Sequence, residues 1–272
     1  MTDRVRVWIL PARVPPQDAA RFWDALDDSD RARAAAFLSP RDRQRFTVAH
    51  GALRMLAGYE LSTQPATLTW IPGRYGKPVL APPWSGLHTS LSHSGDLIAM
   101  AISTDRPVGV DVQYLVPGLD TVGLATRFFP PDEAGYVAAG PDASTRADRF
   151  ALLWTRKEAV VKAAGGRLWS NLKISVRDRD VVSCAEPASQ HRVTDITMPA
   201  SFHAAVALTG VAPFTLEASR SWITRWPGAG TAPAMVTGPS PRSRSPRAAD
   251  RGSAAGRDQA RGRTAGPRRR DG

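Results

Sequence analysis

Apolar residues recur along this chain at two periods, and the switches between them mark out the elements. Alternation near the start predicts a strand over residues 5–10. A helix is expected over 16–25, then a long helical stretch over 30–59, in which Phe46, Ala49, Leu53 and Leu56 fall at helical spacing. Strands over 68–71 and 97–102 complete a first half, residues 1–106. A second half, 107–222, opens with Val108, Val110 and Val112 on one face of a strand and Asp111 and Gln113 on the other. A helix starting near Thr121 follows, then a helix whose apolar stripe is Phe150, Leu153, Trp154, Val161 and Ala164. Strands are expected over 174–177, 201–208 and 214–221. The small apolar strands 99–102 and 204–208 each follow a segment containing Ser and His, which hints at internal duplication.

Composition separates a third region. Residues 223–272 hold eleven arginines against three aspartates and almost no large apolar residue after Val236, so they carry about +8 of the formal charge of +11. Rich in Pro, Gly, Ser and Ala, this region cannot bury enough surface to fold and is expected to be a disordered tail. The remainder is only mildly basic, so nucleic acid is not the expected partner, although a nonspecific polyanion contact through the tail stays open. A hydrophobic content of 42% suits a globular core, and no apolar run approaches the length of a membrane span. The start of the chain reads as a strand rather than a signal peptide, and Cys184 is the single cysteine, which excludes an internal disulfide. These features lead us to expect a cytoplasmic protein with no membrane association.

Four short segments carry candidate chemistry. In Trp154–Ala164, Glu158 and Lys162 stand one turn apart on the edge of the apolar stripe, and Lys157 falls within it. This is either an ordinary i,i+4 ion pair or a carboxylate and two cations for a metal and a phosphate. Asp111 opposes the β-propensity of its strand, as residues at functional sites often do, but a solvent-facing carboxylate would read the same way. Paired with Glu158 it offers two oxygen ligands of the kind Mg²⁺ takes alongside substrate phosphates. The Leu91-Ser92-His93-Ser94-Gly95-Asp96 segment has turn composition. Its Ser and His are adjacent and lack a nucleophile elbow, which excludes a hydrolase triad. They can cap local backbone or donate to phosphate. Gly73-Arg74-Tyr75-Gly76-Lys77-Pro78 is a rigid turn presenting a cation, but its spacing is not that of a P-loop.

In this order, Tyr-Gly-Lys-Pro, Leu-Ser-His-Ser, Val-Gly-Val-Asp-Val and Trp-Thr-x-Lys-Glu-Ala-x-x-Lys-Ala resemble the 4′-phosphopantetheinyl transferases, and more narrowly their large, monomeric Sfp-type class. The resemblance covers roughly residues 5–222. It implies an α+β fold of two similar α/β halves with the active site in the cleft between them. The implied reaction moves the phosphopantetheine arm of coenzyme A onto a serine of an apo carrier protein of a nonribosomal peptide, polyketide or fatty-acid synthase. It depends on Mg²⁺ and releases adenosine 3′,5′-bisphosphate. By the same resemblance, Asp111 and Glu158 hold Mg²⁺. Lys157 and Lys162 supply positive charge, and Lys162 also protonates the leaving phosphate. Lys77, Pro78, Ser92 and His93 grip coenzyme A. Arg33 and Arg45 match cations at its 3′-phosphate and adenine end, with Arg31, Arg41 and Arg43 as near-equal candidates. Glu133 matches a carboxylate proposed as general base, and it reads equally well as an acidic residue at a helix start.

Gln113 is a departure, because many Sfp-type members carry an acidic residue two positions after the motif Asp. An amide can still coordinate through its oxygen or orient a metal-bound water. Two competing activities use the same sequence features. One is a Mg²⁺-dependent coenzyme A phosphohydrolase, and the other is nucleic-acid binding through the basic tail.

Overall fold

The structure is a computed structural model and describes residues 2–185 and 187–219; the expected tail, 223–272, lies outside the described residues. The first strand, β1 (Asp3–Pro11), leads into α1 (Pro16–Asp24), α2 (Asp28–Ala35) and α3 (Pro40–Glu60). The single helical stretch expected over 30–59 is therefore two helices. Pro40 sits in the first turn of α3, and the Ser39 hydroxyl accepts from the amide of Asp42, so the local sequence starts a new helix. After the short hairpin β2 (Trp70–Pro72) and β3 (Pro78–Leu80) come β4 (His88–Ser94) and β5 (Leu97–Ser103). The Ser-His segment is thus strand up to Ser94, and the turn falls at Gly95, which takes φ 56°.

Then follow β6 (Val108–Tyr114), α4 (Thr121–Phe128), α5 (Pro131–Ala138), α6 (Ala143–Ala164) and α7 (Leu168–Asn171). The chain continues through β7 (Val181–Cys184), β8 (Ser189–Ile196), β9 (Phe202–Thr209) and β10 (Phe214–Ser219). Asp142 caps the start of α6 by accepting from the Thr145 amide, and Gly165 ends it in the left-handed conformation at φ 67°. The strand expected over 174–177 does not form. The amides of Val176 and Arg177 donate to the Glu133 carboxylate instead of to a neighbouring strand.

Two four-stranded sheets result, in the orders β10-β1-β5-β4 and β6-β9-β8-β7. The final strand, β10, belongs to the first sheet, where it pairs in parallel with β1 and covers an edge that would otherwise be open. Alternate residues of β1 and β5 face opposite sides. Trp8, Leu10, Ile98, Met100 and Ile102 pack against α3 through Val48, Ala52 and Leu56. Val5, Val7, Ile9, Ala99 and Ala101 meet Val108, Val110, Val112, Val206 and Leu208 of the second sheet. The other face of the second sheet packs on α6 through Leu153, Ala159, Val160 and Ala163. No helix among the described residues is long and apolar enough to cross a membrane.

Candidate active site

The site begins with a glycine. A Cβ on Gly109 would overlap the carbonyl oxygen of Ala159 and the amide nitrogen of Ala163. Only glycine lets β6 lie this close to α6, and the approach brings Asp111 of the strand beside Glu158 and Lys162 of the helix. Asp111 is 4% exposed. Its Oδ1 accepts from Ser92 Oγ at 2.6 Å and from Lys162 Nζ at 2.6 Å. Its Oδ2 is buried and has no hydrogen-bond partner among the described residues. Lys162 Nζ also lies 4.0 Å from Glu158 Oε2. Burial, then the negative charge of Asp111, pushes the Glu158 carboxyl up to about 7, and Lys162 offsets only part of this.

These residues line a cavity of about 550 Å³ together with Arg45, His93 and Gln113. Arg45 is paired with Asp42 at 2.7 Å. Burial, then the charge of Arg45, lowers the pKa of His93, so its ring is neutral at pH 7 and offers one N–H. Gln113 spends its Nε2 on the carbonyl of Tyr114 at 3.1 Å, which leaves its side-chain oxygen for the cavity. Ser92 donates its hydroxyl to Asp111, so it is not the free phosphate donor expected from sequence.

A second cavity, of about 600 Å³, adjoins the first and shares His50, Leu91 and Lys162 with it. Arg33, Lys77 and Pro78 line this one. Arg33 is held 3.4 Å from Asp30, with its guanidinium 5.0 Å from the centre of the Phe46 ring. Lys77 Nζ donates to the carbonyl of Val108 at 2.9 Å, and burial lowers its pKa to about 8. The cationic residues expected from sequence thus divide between two connected spaces.

Two expectations are corrected. Glu133 and Lys157 are both fully buried and line neither cavity. Lys157 Nζ pairs with Glu133 Oε2 at 2.5 Å and donates to the carbonyl of Ile174, with the Phe129 ring 4.7 Å away. A cation inside an apolar stripe needs an internal counter-ion, and here Glu133 provides it. Both side chains hold the segment after α7 against α5 and α6, so neither can meet a phosphate or a carrier serine.

Sequence reasoning missed His50 and Arg54. His50 stacks on Phe46 with ring centres 4.0 Å apart, and burial lowers its pKa to about 4. Arg54, 3% exposed, bonds to Asp27, to Asp30 and to the carbonyls of Pro65 and Leu68. Both sit on α3, where an Arg and a His among apolar residues gave the only signal.

Among the described residues no group of three or more His, Cys, Asp or Glu could hold a metal ion. Two carboxylates suffice for Mg²⁺ when substrate phosphates and waters complete the shell. A buried Asp111 Oδ2 without a partner among the described residues, beside a second carboxyl that burial and then Asp111 push up to about 7, is a site that an added cation would stabilise. The residues present fit the ion.

Residues 107–207, which carry Asp111, Glu158 and Lys162, match the family model of the 4′-phosphopantetheinyl transferase superfamily. The chain is 35% identical over 167 residues to the 4′-phosphopantetheinyl transferase HetI of Nostoc, covering 61% of this chain and 70% of that one. It is 33% identical over 162 residues to a 4′-phosphopantetheinyl transferase of Bacillus subtilis, covering 59% and 70%. It is 32% identical over 196 residues to the 4′-phosphopantetheinyl transferase AcpT of Escherichia coli K12, covering 70% and 92%. With its mixed α/β fold and these relatives, the chain belongs to the 4′-phosphopantetheinyl transferase family.

Proposed function

We propose that this enzyme, a member of the large Sfp-type class, transfers the 4′-phosphopantetheine arm of coenzyme A to a serine of an apo carrier protein. The observation that carries the site assignment is Asp111, with one oxygen fixed by Ser92 and Lys162 and the other left without a partner. In the reaction, the serine oxygen forms a bond to the phosphorus nearer the pantetheine. The bond from that phosphorus to the bridging oxygen breaks, and its electron pair leaves with adenosine 3′,5′-bisphosphate. Asp111 and Glu158 would hold Mg²⁺, which would supply charge neutralisation for the pyrophosphate. Lys162 adds a fixed cation where the leaving phosphate gains charge, and it can return a proton there. Glu158, ionised where it holds the metal, is a carboxylate of this cavity that can take up the serine proton. His93 and Arg45 suit phosphate oxygens in the first cavity, and Arg33, Lys77 and Pro78 suit the nucleotide end in the second.

The reading extends to architecture. Residues 1–106 and 107–222 would be related halves, with β10 crossing from the second to complete the sheet of the first, and with the substrate in the cleft between them. We take the enzyme to work as a cytoplasmic monomer on carriers of nonribosomal peptide, polyketide or fatty-acid synthases. The test is intact-mass analysis of several apo carriers incubated with coenzyme A, Mg²⁺ and the full chain. A carrier heavier by the phosphopantetheine arm is the expected result. Free phosphopantetheine with unmodified carriers would overturn transfer in favour of hydrolysis. Loss of transfer on deleting residues 227–272 would move the function to the tail.

A further inference from the structure

β4 and β6 are the edges of different sheets, so each has one side without a ladder partner. They lie side by side in the same direction, yet they are not paired through their backbones. Serines at alternate positions of β4 bridge them instead. Ser90 Oγ accepts from the Val110 amide at 3.0 Å, and Ser94 Oγ accepts from the Tyr114 amide at 3.0 Å. Between them Ser92 Oγ donates to Asp111 Oδ1 at 2.6 Å. The period of a strand puts all three hydroxyls on one side of β4. This also explains why serines occupy a buried strand: Ser90 and Ser92 are each 8% exposed.

We propose that Ser90 and Ser94 are positioning residues that clamp β6 against β4 and so fix Asp111 in the orientation that leaves its Oδ2 free for the metal. The proposal rests on the reading of Asp111 as a metal-holding residue. The clamp grips the backbone on both sides of Asp111, at Val110 and at Tyr114. With both bonds made, the strand cannot slide or twist relative to Ser92, and Lys162 reaches the same Asp111 oxygen from α6. With either bond lost, an edge amide of β6 loses its acceptor, and although the β9 ladder remains, β6 is tied to β4 at one side of the carboxylate only.

The test uses the full chain with Ser90→Ala, Ser94→Ala and the double variant. Ser94→Thr keeps the hydroxyl. Ser103→Ala is the control, because Ser103 Oγ accepts from Asp105 and Arg106 in the turn after β5, away from the seam. Mn²⁺ binding is titrated by electron paramagnetic resonance in the presence of coenzyme A. Weakening of about tenfold in the double variant is expected, the lower end for residues that orient a metal ligand, with a smaller loss in each single alanine variant. Ser94→Thr and Ser103→Ala should bind as the wild type does. A double variant that binds Mn²⁺ as tightly as Ser103→Ala overturns the clamp. Amide hydrogen exchange of the wild type covers the case in which the variants do not fold. The Val110 and Tyr114 amides should be protected, and fast exchange at both overturns the proposal without any substitution. Wild-type protein that binds no Mn²⁺ would refute the reading of Asp111, which distinguishes that failure from failure of the clamp.

Discussion

Gly109→Ala adds one methyl group at the closest approach between β6 and α6. The new Cβ would overlap Ala159 O and Ala163 N, both backbone atoms that cannot swing aside. Ordinary contact begins at 3.4 Å, so strand and helix must part by on the order of 1 Å. Overpacking costs about 1–3 kcal/mol where side chains can adjust, and a backbone clash belongs at the upper end. For a fold of this size, ~3 kcal/mol corresponds to a melting temperature lower by roughly 6–12 °C. The same displacement pulls Lys162 away from Asp111, now 2.6 Å apart. A misplacement of about 1 Å at a catalytic group can cost on the order of 100-fold in rate. The assays are thermal unfolding by circular dichroism and transfer rate by intact mass. Gly135→Ala is the internal control, since a Cβ there meets nothing within 4 Å. A Gly109→Ala protein that melts within about 2 °C of wild type and transfers at a similar rate would refute the close-approach argument.

Other consequences follow from the electrostatics. Removing one partner of the buried pair, by Lys157→Met or Glu133→Gln, should lower stability by roughly 3–5 kcal/mol in urea unfolding, and unchanged stability would show that the pair does not hold the fold. Folded free protein keeps a proton on Glu158 up to about 7 that the unfolded chain releases near 4.5, so this group's stabilisation is greatest at low pH and is lost as pH rises through that window. A metal takes the ionised carboxylate, so Mn²⁺ affinity should rise about tenfold per pH unit towards 7 and then level off. Glu158→Gln should abolish that slope, and a slope that survives would assign the titration to another group. Gln113→Glu should tighten Mn²⁺ binding by adding a carboxylate at the cavity wall, and weaker binding would show that the amide oxygen itself is needed.

Much of the fold is written in periodicity. The stripes of α3 and α6 and the alternation of β1 and β6 predict those elements because each buries one face against a sheet. Part of β4 has the turn composition of Ser, His and Gly, and the seam with β6 explains serines in a strand. β8 escaped notice because Arg192, Thr194 and Asp195 interrupt its apolar run. The transfer of β10 to the first sheet depends on which edge is open, and no local pattern records that.

The motifs single out Asp111, Glu158 and Lys162, and the fold brings these three side chains together. The site was misread at Lys157 and Glu133. A cation in an apolar stripe does signal burial, but the sequence does not say whether a phosphate or a carboxylate meets it. His50 and Arg54 were missed because their partners are brought in by folding from Asp27, Asp30 and the 65–68 turn.

The central claim is that Asp111 holds the charge that makes phosphopantetheine transfer possible at the seam of the two sheets. Asp111→Asn keeps the size of the side chain and an acceptor for Ser92 while removing the negative charge. Its rate of arm transfer to an apo carrier, followed by intact mass at saturating Mg²⁺, should fall by at least ~100-fold while the protein remains folded. A rate near that of the wild type would contradict the account.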